Sequence, residues 1–209
     1  MTARIEHLTT SGTFSLDGGK WDVDNNVWIV GDDAEVVVID APHDGEAITA
    51  AVAGRTVKAI LCTHAHNDHI DAAPEVADFT AAPILLHSDD VPLWELTHHH
   101  RLPDDDLTDG ETIAVAGTTL QVIHTPGHSP GSCSFYAPAL GAVFTGDTLF
   151  KGGPGATGRS FSSFASIIDS IRDRLLTLPP ETEVYPGHGD TTTIGAEAPD
   201  LDAWIARGH

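Results

Sequence analysis

The segment Thr63-His64-Ala65-His66-Asn67-Asp68-His69 constrains this chain more than any other. It directly follows Val57-Lys58-Ala59-Ile60-Leu61, a short and mostly apolar run that reads as a buried strand. Side chains alternate in direction along an extended backbone, so His64 and His66 point the same way, and Asp68-His69 falls where the loop enters the next helix. Imidazole nitrogens and a carboxylate are ligand types that zinc, iron and manganese accept, which points to a transition metal and away from calcium. A polar loop with chance histidines would not carry this alternating spacing, provided that the rest of a ligand set exists elsewhere in the chain.

It does. Thr125-Pro126-Gly127-His128 follows the strand-like Thr119-Leu120-Gln121-Val122-Ile123, Gly146-Asp147 follows Ala142-Val143-Phe144-Thr145, and Pro186-Gly187-His188-Gly189 follows Glu183-Val184-Tyr185. Each time an apolar run ends and a ligand-type residue appears among turn residues. In this order of motifs the chain resembles the metallo-β-lactamase superfamily, whose members carry a His-x-His-x-Asp-His loop, then a lone His, an Asp and a final His, each at a strand end. The resemblance runs from about Asn25 to Gly195. It implies His64, His66 and His128 on one metal ion, Asp68, His69 and His188 on a second, and Asp147 bridging both. It also implies that Asp40, at the end of Glu35-Val36-Val37-Val38-Ile39, steadies the His-rich loop without binding metal; an ordinary turn aspartate before Ala41-Pro42 is the lesser alternative from the residues alone. Two divalent ions are therefore expected, zinc first, with iron or manganese also compatible with His and Asp donors.

The chain has 209 residues, a length that suits a single domain spanning 1–209 with a substantial core. Ten Lys and Arg against 31 Asp and Glu give a formal charge of −21, which disfavours nucleic acid or an anionic membrane surface as a partner. The N-terminal residues lack the apolar core of a signal peptide, and no apolar run approaches the ~20 residues of a membrane span, so the expected location is cytoplasmic. Cys62 and Cys133 have no Cys-x-x-Cys spacing, and Cys62, beside the ligand loop, reads as a small buried strand-end residue.

Taken in order, the pattern predicts strands over Ile5 to Phe14 and Asn25 to Val30, a central strand Glu35 to Ile39, a helix Gly45 to Ala53 and the strand before the ligand loop. A helix Asp71 to Phe79, a strand Pro83 to Leu86 and a helix Asp89 to Thr97 follow. His87 reads as structural or solvated, and His98 to Asp109 as a solvated loop. Strands are expected near Glu111–Val115, Thr118–Ile123, Ser132–Tyr136 and Ala142–Thr145, then a helix Phe161 to Leu176, a last strand and a capped terminal helix with Trp204 in the core. This pattern is α/β. The four-layer αβ/βα sandwich with metals at the shared rim of two sheets is what the resemblance adds.

Two bridged divalent ions would lower the pKa of a water between them, so that hydroxide attacks a carbonyl carbon while a metal stabilises the leaving group. Asp68 and Asp147 are then the catalytic carboxylates, Asp68 both ligating and orienting the nucleophile. Within the superfamily the ligand types are similar to those of glyoxalase II, the hydroxyacylglutathione hydrolases, which implies a small-molecule thioester substrate. Full-length members of that family carry a C-terminal helical glutathione-binding domain, which this chain is expected to lack. Ile70-Asp71-Ala72-Ala73 and Gly158-Arg159-Ser160-Phe161 also depart from the family pattern, leaving the thiol carrier open. The Gly-rich loop from Gly152 to Gly158 is expected to shape the pocket; it lacks the Gly-Lys-Ser/Thr ending of a phosphate loop. Its flanking Lys151 and Arg159 are expected to bind an anionic group on the substrate. Rival readings are a lactone hydrolase, a mononuclear-iron persulfide dioxygenase and a non-catalytic metal-binding module.

Overall fold

In the computed structural model, which describes residues 2–208, the strands form two six-stranded sheets and a small two-stranded ribbon. The first sheet has the order β1 (Arg4–Leu16), β2 (Gly19–Gly31), β3 (Glu35–Ile39), β4 (Thr56–Leu61), β5 (Ile84–Leu86), β6 (Asp105–Asp106). In the second, β14 (Thr192–Thr193), β13 (Glu183–Pro186), β10 (Ala142–Gly146), β9 (Cys133–Ala137), β8 (Thr118–His124) and β7 (Thr112–Val115) lie in that order. β11 (Leu149–Phe150) and β12 (Gly153–Pro154) make the ribbon.

Strand periodicity explains why there are four layers. On β3, Val36 and Val38 belong to one buried cluster with α1 (Gly45–Val52), α3 (Ala73–Thr80) and α4 (Val91–Thr97), while Val37 and Ile39 belong to a second cluster between the sheets. β2 divides in the same way, Val27 and Ile29 outward, Trp28 and Val30 inward. Successive side chains point to opposite faces, so strands apolar on both faces must be covered twice. The second sheet repeats this. Phe144 packs between the sheets, whereas Val143 and Val184 pack under α5 (Phe164–Ser170) and Trp204 of α7 (Leu201–Arg207). A register shift in the β3–β4 pairing, from Val36↔Val57 to Val38↔Ile60, marks a bulge that lets both Val57 and Ile60 face the helices.

The expected α/β sandwich is the fold observed, with differences of detail. β1 and β2 pair along their full length, Arg4↔Gly31 to Leu16↔Gly19, where shorter strands were expected. Asp17 and Gly18, with φ of 52° and 78°, make the tight turn that an Asp-Gly pair favours. The distal half of this hairpin has polar residues at alternate positions and little core to join. A helical turn α2 (Asn67–Ile70) precedes α3, so His69 is already helical. The helix predicted from Phe161 begins at Phe164, capped by Ser163, and continues as a π-helical turn, Ile171–Leu175. Asp105 and Asp106, expected in a solvated loop, instead pair with β5 as an edge strand whose exposed carboxylates discourage further pairing. The terminal segment holds β14 and α6 (Ile194–Glu197) before α7, and Trp204 is buried as expected. None of the described helices is long and apolar enough to cross a membrane.

Ile60 is fully buried on β4, just before the ligand loop. Ile60→Ala is expected to lower unfolding free energy by about 2–5 kcal/mol through lost transfer energy and the cavity left behind. Phe79, 71% exposed, should change it by less than about 0.5 kcal/mol when replaced by Ser. Urea titrations of both variants check the pair.

Candidate metal centre

Strand ends converge at one rim of the sandwich. Cys62 follows the last residue of β4 and is fully buried, its thiol pushed up by burial, and the chain then turns to present His64 and His66. Asp40, just after β3, takes a left-handed φ of 59°, a strained state for a residue with a Cβ. That conformation brings its carboxylate across to the loop. Oδ1 accepts from the Thr63 N–H at 2.7 Å, and Oδ2 accepts from the Thr63 hydroxyl and from His69 Nδ1, each at 2.8 Å. Asp40 thus links the end of β3 to Thr63 and His69.

Two groups of ligand atoms result. The facing nitrogens of His64 and His66 are 3.0 Å apart, and His128 Nε2 is 2.9 Å from His66 Nδ1. Asp68, His69 and His188 form the second group, with His69 Nε2 and His188 Nε2 3.3 Å apart. Asp147 lies between them: Oδ1 is 3.4 Å from His69 Nε2, and Oδ2 is 3.5 Å from both His128 Nε2 and His188 Nε2. The structure brings all seven residues together, and His64 also lies close to His69 and Asp147, so the two groups adjoin. Gly187 makes room for this approach, since a Cβ there would lie 2.4 Å from Asp147 Oδ1.

The outer nitrogens determine what the inner ones carry. Thr63 donates its hydroxyl proton to Asp40, so its oxygen accepts from His64 Nδ1 at 3.1 Å. His128 Nδ1 donates to Ala156 O at 2.9 Å, His188 Nδ1 to Asp24 O at 2.7 Å, and His69 Nδ1 to Asp40. Each of these rings, when neutral, has a bare nitrogen aimed inward, the arrangement that metal-ligating histidines show. Asp68 Oδ1 and Asp147 Oδ1 are buried without a hydrogen-bond partner. Unpartnered buried oxygens are costly, and a cation is the partner this donor set fits.

Electrostatics divide the two groups. Burial, then the charges of neighbouring histidines, holds His64 well below the usual imidazole range, and burial with His128 pushes His66 down to about 3. Burial works against the charged form of His188 too, but Asp147 and Asp68 outweigh it and raise its pKa to about 10; His69 is raised for the same reason. Asp147 stays ionised, the cost of burial being exceeded by His188 and His69. The carboxylate-containing half therefore demands positive charge, which a divalent ion would supply while displacing protons.

A cavity of about 280 Å³ opens on the site. Phe14, Trp21 and Val23 of the β1–β2 hairpin line it together with Phe150 and Arg159. The guanidinium of Arg159 sits 4.0 Å from the Trp21 ring centroid and 5.8 Å from that of Phe14, a stacked cation–π contact. The loop is tied to the hairpin where Ser160 N–H donates to Asp17. Lys151 departs from expectation. It sits on the exposed turn of the β11–β12 ribbon, its ammonium 3.0 Å from Asp190, and does not line the cavity.

Some functional positions carried no readable signal. Asp90, fully buried before α4, accepts from Ala65 N–H, the Ser129 hydroxyl and Gly131 N–H, joining the His64–His66 loop to the His128 loop. Asn26 donates to Pro186 O and Gly189 O and so holds the His188 loop. His87, outside the site as expected, stacks on His124 with ring centroids 4.1 Å apart.

The family described as Metallo-beta-lactamase superfamily matches residues 21–188. The chain is 30% identical over 185 residues to a hydroxyacylglutathione hydrolase, GloC, of Haemophilus influenzae, covering 79% of this chain and 85% of that one. Among solved structures, TTHA1623 in a di-iron-bound form superposes with a TM-score of 0.75 at 35% identity, over 90% of this chain and 96% of that one. The BLEG-1 B3 metallo-beta-lactamase gives 0.77 at 31%, over 91% and 97%.

If Asp147 faces both ions, Asp147→Ala should weaken both metal sites together, whereas His188→Ala should weaken mainly one, by about 10-fold or more. Elemental analysis after dialysis against graded chelator distinguishes the two patterns.

Proposed function

The chain belongs to the metallo-β-lactamase superfamily, and on that premise we propose that it is a dinuclear metal-dependent hydrolase of a small, anionic thioester. The observation that carries this reading is the convergence of seven His and Asp side chains, with Asp147 within 3.5 Å of histidines from both groups. His64, His66 and His128 would hold one ion, Asp68, His69 and His188 the other, and Asp147 both. Two bound divalent ions supply, at neutral pH, a nucleophile from water and a Lewis acid for a carbonyl oxygen.

The chain's own groups do the remaining work. The Ser162 hydroxyl in the cavity is already engaged, donating its proton to Arg159 O and accepting from two backbone N–H groups. Cys62 is buried, with its thiol held in the protonated form. Asp68 has one oxygen engaged by hydrogen bonds and the other open, so it is placed to ligate and to orient the attacking water. The aromatic wall of Phe14 and Trp21 limits water around the reacting carbonyl. A thiolate, with a thiol pKa of ~8.5, leaves without prior protonation, so its departure does not depend on a general acid. Arg159, stacked on Trp21, offers its fork of N–H donors to a carboxylate on the substrate. The name of the Haemophilus influenzae relative supports the thioester. β-Lactam hydrolysis is the second reading, favoured by the likeness to the BLEG-1 enzyme.

Metal-loaded protein assayed against lactoyl-thioesters of glutathione and coenzyme A, an acyl-homoserine lactone, a cephalosporin and a glutathione persulfide should show the highest kcat/KM on a thioester. Faster turnover of the lactone or cephalosporin, or oxygen consumption with the persulfide, contradicts the proposal. Arg159→Ala should raise KM for an anionic thioester about tenfold with kcat little changed, the signature of lost binding. Lys151→Ala should leave KM within about twofold, because an exposed pair contributes little.

A further inference from the structure

Asn25 is fully buried on β2 inside the metal centre, yet neither the ligand set nor the substrate reading gives it a task. Its amide nitrogen is 3.2 Å from Asp68 Oδ2, 3.3 Å from His69 Nε2 and 3.4 Å from His188 Nε2, so it faces every member of one ligand group. The far end of the amide is held by His43, whose Nε2 lies 2.9 Å from Asn25 Oδ1. Reversing the amide would set its oxygen against the Asp68 carboxylate. Asn25 therefore donates to Asp68 while accepting from His43 Nε2.

His43 is itself held by an arrangement that costs stability. Its φ is 57°, in the left-handed region that residues with a Cβ rarely adopt. Its backbone N–H donates to Asp71 Oδ1 at 2.5 Å, and its ring Nδ1 is 3.3 Å from Asp71 Oδ2. The ring occupies space left by Gly12, where a Cβ would lie 2.2 Å from His43 Nδ1. A strained backbone, a carboxylate clamp and a glycine cradle all serve one imidazole that does not line the substrate cavity.

We infer that Asp71, His43 and Asn25 form a hydrogen-bonded relay that positions Asp68, engaging its Oδ2 and leaving Oδ1 for a cation. The inference rests on the metal-centre reading above. Asn25 and His43 are positioning residues for the Asp68, His69 and His188 group, with no effect expected on the three-histidine group. Supporting partners of metal ligands typically change affinity by about 10–100-fold.

Chelator-competition titration with zinc, on the full chain and with thermal melts alongside, tests this. The parent should take up two ions. Asn25→Ala and His43→Ala should each weaken one site by about 10–100-fold and leave the other within about twofold. His43→Gln, which keeps a side-chain N–H donor of similar reach, should recover most of the loss. Gly12→Ala should reproduce the His43→Ala pattern, since it displaces the ring without removing a polar group. Should Asn25→Ala fail to fold, the contrast between His43→Ala and His43→Gln carries the test. Two ions in the parent with all variants unchanged, or both sites weakened equally, overturn the relay alone. Fewer than two ions in the parent overturn the metal-centre reading and the relay with it.

Discussion

Two carboxylates at the rim of the sandwich, Asp68 and Asp147, each keep a buried oxygen without a hydrogen-bond partner, and imidazole nitrogens converge on both. Folding leaves such oxygens unpartnered only where something other than the chain satisfies them. Much of the local structure exists to hold that arrangement. Asp40 adopts a left-handed conformation to reach Thr63 and His69, Asp90 ties two ligand loops together, and Gly187 gives up a side chain so that Asp147 and His69 can approach. The sheets supply rigidity: the loop carrying His64 and His66 follows β4 and Asp147 follows β10, strands with apolar residues buried on both faces, so these side chains start from a fixed point.

The opposite side of the site follows a different logic. The distal β1–β2 hairpin and the glycine-rich loop contribute little to the core, and they meet over the cavity through Asp17 with Ser160 and Arg159 with Trp21. Ligands come from strand ends, while the substrate wall comes from segments that the core does not constrain. In a superfamily that shares one metal scaffold, this is where specificity can change without disturbing the metals.

The four stretches that carry the converging His and Asp residues were legible in the sequence because each begins where an apolar run gives way to turn residues, a local signal. The α/β class was legible for a related reason, since Val36 to Ile39 is apolar at every position and a strand of that kind must be covered on both faces. Asn25, Asp90 and His43 were not. Each is a single polar residue whose role depends on partners from 18 to 163 positions away, such as Asn25 for His43, Ala65 for Asp90 and His188 for Asn25. The hairpin's length was missed because Lys20, Asp22 and Asp24 interrupt the apolar pattern at its solvent-facing end. Lys151 and Arg159 look alike as cations flanking a loop, but Lys151 sits on the turn of the ribbon beside Asp190 whereas Arg159, beyond the ribbon, lies over Trp21.

The central claim is that this rim is a two-metal centre bridged by Asp147. Anomalous diffraction from crystals of metal-loaded protein, collected at the zinc and iron edges, tests it most directly. Two peaks about 3.5–4 Å apart, one among His64, His66 and His128 and one among Asp68, His69 and His188, with Asp147 contacting both, are what the account predicts. A single peak, with Asp147 and the Asp68, His69 and His188 group turned away from it, would contradict it.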